Sequence, residues 1–498
     1  MSPARRAFRV RLAVLVLVGG VAAGLAWAAW NMRDRAPGAA FSLDVRPGQA
    51  APGACARVRA PDDQPDLSRP VWLAGFARGR AATGIHDDLE AVALVIDDGE
   101  HRLGIVAVDA IGVFHDQVVA IRARVPASAR LDYVVVAATH DHSAPDLMGI
   151  WGPGDVRSGY DESYRALVVD GAAGALADAA AALTPSVVSF AEVPLEPQGL
   201  VADSRDPQVF DATMRLMHFA APDGRTLGTL VNWADHPETP WSANTEITAD
   251  FPGYLRRALE HGVSDARGGA VPGLGGTHVY VNGAIGGLMT TNPETEVTDP
   301  FTGRTYGPPS HEKAEALGRS LARVVFDAVA GGGASVQDAP RLSISAHTLD
   351  LQVDNPLFTL GIALGVFGRG QPRWGHIRSE VAVVTFGDAS IACVPGELYP
   401  EIANGGIVRP AGADFAVEPV EVPPLRALMP RRFRFLFGLA NDEIGYIIPR
   451  SEWDDEPPWL YGAPERHYGE INSLGPDTGP TVHRALADLL RRVSALTP

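Results

Sequence analysis

Two histidines separated by a single residue carry the clearest chemical signal in the sequence. His140 and His142 directly follow Tyr133–Ala138, an apolar run typical of a buried β-strand. A His-x-His pair at a strand end places both imidazoles in one loop, where they can reach the same site. Each imidazole there is a candidate metal ligand or proton carrier.

A third histidine and a glutamate lie just beyond other apolar strands. His236 follows Leu227–Trp233, and Glu397 follows Ile391–Val394. Ligand sites in α/β proteins collect outside strand ends, so these side chains are expected to meet. Two histidines, a carboxylate and an open position form a common catalytic zinc site, in which the ion lowers the pKa of water to about 7. The pattern predicts such a site, with His142 as the nearby base that moves the proton.

The elements that must position these residues alternate along the chain from about residue 51. This alternation predicts an α/β fold of layered, mixed β-sheets flanked by helices. The clearest predicted strands are Gly104–Val108, Tyr133–Ala138, Ser186–Ala191, Leu227–Trp233, His278–Val281, Leu342–Leu351 and Val381–Thr385. The predicted helices are Tyr164–Leu183, Gly253–Glu260, His311–Ala330 and Val482–Leu496.

Composition and charge exclude several classes of protein. The 498 residues are 46% hydrophobic and 20% charged, which is typical of globular proteins and unlike fibrous or disordered chains. The formal net charge is −17, although the first residues are rich in arginine. An acidic body of this kind argues against nucleic acid as a partner, because phosphate backbones are bound by clustered Lys and Arg.

The N-terminus has the pattern of an export signal. Four arginines within residues 5–11 precede an uncharged apolar run over residues 12–30. Residues 1–35 are therefore predicted to be a signal anchor, or a signal peptide cleaved after Ala26-Trp27-Ala28, with residues 36–50 as a linker. Both alternatives place the body outside the cytoplasm, in the periplasm or the extracellular space, either held by a single-pass membrane helix or secreted.

Two apolar segments combine hydrophobic residues with arginine. One is Leu357–Phe367, followed by Arg369 and Arg373, and the other is Arg431–Phe437. Each segment could dip into a membrane interface, line the mouth of an acyl-chain pocket, or belong to an ordinary buried core.

The chain contains only two cysteines, Cys55 and Cys393. An oxidising compartment would permit a disulfide between them, and the other interpretation is two small residues buried in apolar strands. Neither cysteine belongs to a zinc-ribbon or CxxC pattern.

Several segments of this chain, in this order, resemble the neutral/alkaline (non-lysosomal) ceramidase family. The resemblance runs from about residue 51 to the C-terminus and is specific in its combination of motifs. The segments that carry it are Gly75-Phe76, Thr83–His86, Thr139–Ser143, Asp235–Pro237, Asp250–Tyr254, Pro395–Glu397, Gly438–Asn441, Gly445-Tyr446, His467-Tyr468 and Gly475-Pro476.

The resemblance implies a ceramidase-like zinc hydrolase domain over residues 51–498 and assigns roles to individual residues. One zinc ion per chain would be held by His140, His236, Glu397 and Tyr446. His142 would be the catalytic acid/base, and Tyr446, Arg205 and Tyr468 would complete the catalytic group. Without the resemblance, Tyr446 is interpreted as a buried strand tyrosine.

Two departures from the family pattern concern the substrate. The segment Gly283–Leu288 lacks the serine that the family carries there, and the family's C-terminal immunoglobulin-like domain has no counterpart in these residues. Three hypotheses follow. The chain is a zinc amidohydrolase that cleaves the N-acyl bond of ceramide or a related lipid, a zinc hydrolase of a non-sphingolipid amide, ester or lactone, or a membrane-anchored binding protein with a relic metal site. The oligomeric state is left open.

Overall fold

Three five-stranded sheets dominate the computed structural model. It describes residues 3–46, 54–59, 65, 67–266, 268–287, 289–332 and 335–496, with side chains undescribed for residues 3–15, 54–59 and 495–496. The longer helices are Pro3–Asn31, His115–Arg124, Glu162–Ala181, Asp250–His261, His311–Ala330, Pro356–Ala363 and Thr478–Leu496. The short helices are Pro400–Asn404, Leu425–Leu428 and Tyr468–Ile471, and single 3-10 turns span Ala127–Ala129, Arg450–Glu452 and Leu460–Gly462.

Each sheet is mostly antiparallel with one parallel pair. Parallel neighbours at a sheet edge direct two strand ends toward the same side of the molecule. In spatial order, the first sheet contains Tyr133–Ala138, Arg102–Val108, Ala91–Asp97, Ala54–Arg59 and Thr184–Pro185, with the first two parallel. The second contains Thr277–Asn282, Thr226–Trp233, Thr213–Ala220, Val187–Pro194 and Ser335–Gln337, with the first two parallel. The third contains Ser42–Val45, Leu342–Gln352, His376–Phe386, Ala389–Cys393 and Phe433–Phe437, with the last two parallel.

Pairs of very short strands connect the loops between these sheets. They are Gly84–Ile85 with Glu246–Ile247, Ala202–Asp203 with Met289–Thr290, Gly262–Ser264 with Ala270–Pro272, Val297–Thr298 with Thr305–Tyr306, and Glu397–Leu398 with Tyr446–Ile447.

The three sheets share one hydrophobic core and cover their outer faces with helices. Ile105, Phe219 and Ile344, one from each sheet, lie in the same fully buried cluster. Alternating strand residues face outward toward helices, and Val106 accordingly shares a buried cluster with Leu176 of Glu162–Ala181. The second sheet is covered by Asp250–His261 and His311–Ala330, and the third by Thr478–Leu496. The predicted α/β class of mixed sheets flanked by helices is confirmed.

Helix boundaries follow local capping chemistry. The helix His311–Ala330 has the predicted bounds, and the Ser310 hydroxyl caps it by accepting from the Lys313 N–H at 3.1 Å. The last helix begins at Thr478, four residues before the predicted start at Val482. Pro480 is compatible with this because the first turn of a helix does not use its backbone N–H groups as internal donors.

The N-terminal segment forms a helix over Pro3–Asn31. Within the part of the chain that the structure describes, no helix is long and apolar enough to cross a bilayer. Ser42–Val45, in the segment predicted as a linker, pairs with Leu342–Gln352 and adds an edge strand to the third sheet. The N-terminal anchor or signal peptide stays a prediction.

Candidate active site

The predicted site residues follow strands of three different sheets, each strand belonging to the parallel pair of its own sheet. His140, His236 and Glu397 each lie within four residues of the end of a strand in such a pair, namely Tyr133–Ala138, Thr226–Trp233 and Ala389–Cys393. All three side chains are more than 90% buried. The sequence argument from strand ends therefore identified residues that the fold places side by side.

Backbone carbonyls fix the orientation of both histidines. Nδ1 of His140 lies 2.7 Å from the Ile111 carbonyl oxygen, and Nδ1 of His236 lies 2.8 Å from that of Met289. A carbonyl oxygen only accepts, so each Nδ1 carries the hydrogen and each Nε2 presents its lone pair. Those Nε2 atoms lie 3.5 Å and 3.1 Å, respectively, from Oε2 of Glu397.

Glu397 is in turn paired with Tyr446 across two short parallel strands. The register places Glu397 directly beside Tyr446, and the Tyr446 hydroxyl donates to the glutamate. Burial, reinforced by Glu397, raises the pKa of Tyr446 well above its ordinary value. Burial alone would raise the pKa of Glu397, but the imidazoles of His140 and His236 hold it below the ordinary value.

This donor set fits a metal ion. Two imidazole lone pairs directed at one carboxylate are acceptors facing an acceptor, an arrangement that is stable only with a cation or a proton between them. Burial would lower the pKa of His236, but its hydrogen bond to Glu397 and the charge of that carboxylate raise it. Two imidazole nitrogens, a carboxylate and a phenol oxygen suit zinc, and the carbonyls that accept from Nδ1 orient the imidazoles as they do in metal-binding histidines.

His142 completes the group and differs from the other two histidines. Neither of its ring nitrogens makes a hydrogen bond of good geometry among the described residues, although Nδ1 lies at ion-pair distance, 3.2 Å, from Oε2 of Glu238. Burial, together with the charges of His140 and His236, lowers the pKa of His142 well below its ordinary value. The imidazole also packs edge-on against Phe76, with 5.3 Å between ring centroids.

Gly75 allows this placement of His142. Its backbone has φ +77°, and a Cβ atom there would lie 2.5 Å from Nδ1 of His142. Any side chain at this position would therefore displace the imidazole. The donor atoms of His140, His142 and His236 lie within 4.8 Å of one another, so the geometry also permits His142 as a third histidine ligand.

The site opens into a cavity of about 660 Å³. One end is polar and includes His140, His142, Glu397 and Tyr446. The remaining walls are mainly apolar, and representative residues are Phe114, Met148, Ile150, Trp151, Leu357, Leu360, Leu364, Phe367, Ile377 and Leu474. The arrangement suits a molecule with a polar reacting group and a long apolar chain.

The two remaining catalytic candidates differ in position. Tyr468 lines the cavity, is half-exposed, and has its ring centroid 5.9 Å from that of Tyr446. Arg205 does not line the cavity; it pairs with Glu401 and with Glu452 and stacks 4.1 Å from the ring centroid of Tyr399. The structure therefore brings Tyr468 to the site and places Arg205 one layer of side chains behind it.

Glutamates that sequence reasoning missed lie next to the predicted residues. Glu238, two positions after His236, is buried against His142. Glu443 lines the cavity, where burial and the neighbouring Glu397 raise its pKa well above the ordinary value. The available signal was proximity in sequence to His236 and Tyr446, which does not by itself distinguish a site residue from a loop residue.

The two apolar segments that contain or precede arginine occupy different parts of the structure. Leu357–Phe367 forms most of the helix Pro356–Ala363 and the following loop, and it lines the cavity. In Arg431–Phe437, the three phenylalanines are fully buried in a strand of the third sheet, so this segment is core. Cys393 is a buried free thiol, and the side chain of Cys55 lies outside the described residues.

The segment that lacks the family's serine supports the site through its backbone. The Gly286 N–H donates to the Leu398 carbonyl at 2.8 Å. A Cβ at Gly286 would lie 2.4 Å from the Glu397 carbonyl oxygen, so a side chain there would displace the loop that carries this ligand candidate. Leu288 lies outside the described residues.

Comparison with solved structures shows a shared fold. One match is the neutral ceramidase from Pseudomonas aeruginosa, with a TM-score of 0.65 and 16% identity over 91% of this chain and 76% of that one. Another is a ceramidase complexed with C2, with a TM-score of 0.65 and 16% identity over 90% of this chain and 76% of that one. No protein-family model and no curated protein matches this chain. The resemblance inferred from the motifs is confirmed at the level of the fold.

Proposed function

We propose that this chain is a zinc-dependent hydrolase that cleaves the N-acyl amide bond of ceramide or a related lipid. The observation that carries the proposal is the buried donor set of His140, His236, Glu397 and Tyr446 at the polar end of a mainly apolar cavity. The apolar part of the cavity is suited to binding the acyl chain, and the donor set is placed to act on the amide carbonyl. The fold shared with neutral ceramidases supports the same substrate class.

His140, His236, Glu397 and Tyr446 would hold the ion. When bound, zinc would act as a Lewis acid that polarises the amide carbonyl, and it would lower the pKa of a water molecule so that this water can lose a proton and attack the carbonyl carbon. His142 accepts the proton of the attacking water and delivers it to the amide nitrogen as the C–N bond breaks and the new C–O bond forms. Glu238, 3.2 Å from Nδ1 of His142, orients the imidazole during this transfer.

The other residues bind and exclude water. The hydroxyl of Tyr446 is a neutral donor near the reacting carbonyl and stabilises the negative charge that develops on its oxygen. The apolar walls take up the acyl chain and remove it from water. Products are a fatty acid and a free amine, and Tyr468 lies at the exposed side of the site, where the amine part of the substrate is expected.

A panel of acyl substrates tests the proposal. Purified full-length protein supplied with zinc is given a long-chain ceramide in detergent micelles, a fatty amide without a sphingoid base, an aryl ester and a lactone. We expect the highest kcat/KM for ceramide, and its loss in His142→Gln. Hydrolysis of the ester or lactone alone would favour the second hypothesis, a hydrolase of non-sphingolipid substrates, which the altered Gly283–Leu288 segment supports.

We also propose that the chain is exported and that its body lies outside the cytoplasm, on the basis of the N-terminal arginines and apolar run. Protease added to spheroplasts of cells that produce the protein should degrade the body. A body that is protected until the inner membrane is lysed would contradict this.

A further inference from the structure

The last turns of the N-terminal helix dock beside the helix Pro356–Ala363. The Asn31 side-chain amide donates to the Ala363 carbonyl at 3.1 Å, and the Trp27 indole N–H donates to the Leu364 carbonyl at 3.4 Å. Gly365 permits this contact, because a Cβ there would lie 2.8 Å from the Asn31 side chain.

The residues that follow Asn31 are also tied to the body. Asp34 accepts two hydrogen bonds from the Arg378 guanidinium, both of 2.8 Å. The Gln371 N–H donates to the Met32 carbonyl at 3.3 Å, and a Cβ at Gly370 would lie 2.3 Å from the Arg33 carbonyl oxygen. These contacts fix the position of the last turns of the N-terminal helix relative to the cavity.

Exposed apolar side chains surround this contact. Leu357, Leu360 and Leu364 line the cavity and are 58%, 53% and 41% exposed, so they lie at its mouth. Their spacing of three and four residues places Leu357 and Leu360 on one face of the helix, and Leu364, the residue that follows its end, continues that face. Trp27 and Trp30, on the adjoining N-terminal helix, are 58% and 60% exposed. We call these five residues the rim surface.

The chemistry of the rim surface fits a lipid bilayer. Residues 355–368 contain no charged side chain, although the chain as a whole is acidic. The Arg33 guanidinium stacks 3.7 Å from the Trp30 ring centroid, and tryptophan beside arginine is typical of the headgroup region of a membrane. Nearby Asp34 is neutralised by Arg378 and so presents no free negative charge to anionic lipids.

We propose that the rim surface docks on a lipid bilayer, so that the cavity opens directly into the membrane and an amphiphilic substrate enters from there. The docking is independent of the proposed activity, whereas the access route for the substrate rests on the proposed function. Docking of this kind lies in the plane of the interface and requires only that the five apolar side chains leave water.

Spin-label accessibility tests the docking without any catalysis. A nitroxide is attached at Leu360→Cys, or at Val336→Cys as a control, in full-length protein that carries Cys55→Ser. Val336 is 62% exposed and lies on an edge strand of the second sheet. With vesicles of phosphatidylethanolamine and phosphatidylglycerol, the label at 360 should gain exposure to oxygen and lose exposure to a water-soluble nickel chelate. The label at 336 should not change. Equal access of the chelate to position 360 with and without vesicles would overturn the proposal.

Activity measurements then test the access route. Trp30→Glu adds a charge to the rim surface outside the cavity, and Val336→Glu adds the same charge elsewhere. We expect Trp30→Glu to reduce kcat/KM at least about tenfold for a long-chain ceramide embedded in vesicles and to leave a soluble short-chain amide unaffected. Val336→Glu should affect neither substrate. An equal loss on both substrates in Trp30→Glu would refute the route, whereas a wild type inactive on every substrate would refute the proposed function and leave the spin-label result standing.

Discussion

Two groups of histidine and glutamate in this protein have nearly the same composition and different geometry. His140, His142 and His236 are buried, and their rings meet edge-on at 72° to 74°. His86 and His311 lie near the surface with Glu246, and their rings are stacked at 3.7 Å with an angle of 4° between them.

The ring angle decides what each group can hold. A metal ion bound by two imidazoles lies in the plane of both rings, because the nitrogen lone pairs lie in those planes. Edge-on rings have planes that intersect, whereas stacked rings have parallel planes that share no such point. His311 also occupies the first turn of a helix, where the backbone dipole disfavours a cation. The comparison teaches that ring orientation, more than residue type, distinguishes a group that could hold a metal ion from a cluster of polar side chains.

The largest expected difference between the groups is in catalysis. His140→Ala removes one ligand of the proposed ion and should lower kcat/KM for ceramide roughly 10³-fold or more. The matched substitution His311→Ala should leave kcat/KM within about threefold, since it removes contacts with Glu246 and His86 near the surface and none with the buried group. Steady-state hydrolysis measures both, and similar losses in the two variants would remove the distinction.

His142→Gln sharpens the comparison within the buried group. If His142 is the acid/base, the variant should have a kcat roughly 10²–10⁴-fold lower than the wild type and should keep its metal. Elemental analysis beside kinetics separates the two roles that the geometry permits. Loss of metal together with activity would assign His142 to the ligand set instead.

The two tyrosines that touch these groups provide a smaller contrast. Tyr446→Phe removes the hydroxyl beside Glu397 and should reduce kcat roughly 10²-fold. Tyr254→Phe removes the hydroxyl that lies 2.9 Å from Nε2 of His86 and should have little effect on kcat. Retention of full activity in Tyr446→Phe would exclude the hydroxyl from both of its proposed roles.

The smallest effect concerns stability. Burial, together with the neighbouring His86, lowers the pKa of His311. The unfolded chain then binds the proton more readily than the folded one, so this contribution is present above the unfolded pKa of about 6.5 and is lost as the pH falls below it. Urea unfolding of wild type and His311→Gln at pH 8 and pH 5.5 measures the effect. The wild type should lose more free energy of unfolding than the variant over this interval, and equal losses would contradict the expectation.

The sequence predicted the parts of the site that depend on local pattern. His140, His236 and Glu397 follow apolar strands of three different sheets, each strand paired in parallel with a neighbour in its own sheet, and the loops after these strands meet at the site. Tyr446 became a candidate only through the resemblance, because it belongs to a two-residue strand whose register with Glu397 leaves no periodic pattern.

Other features depend on contacts between distant parts of the chain. Asn31 and Ala363 are 332 residues apart, and nothing in their residue types predicts that they are in contact. The stacking of His86 on His311 likewise joins a short strand region to a helix start, so no spacing reveals it. Arg205 shows the converse, since the resemblance assigned it to the catalytic group, whereas in the structure it lies behind the site and pairs with the buried Glu401 and Glu452.

Metal content tests the central claim most directly. Full-length wild type, His140→Ala and His311→Ala are purified after supply of zinc and measured by elemental analysis. The account predicts about one zinc per chain in wild type and in His311→Ala, and a large loss in His140→Ala. A wild type without metal, or a His140→Ala protein with its full content, would contradict it.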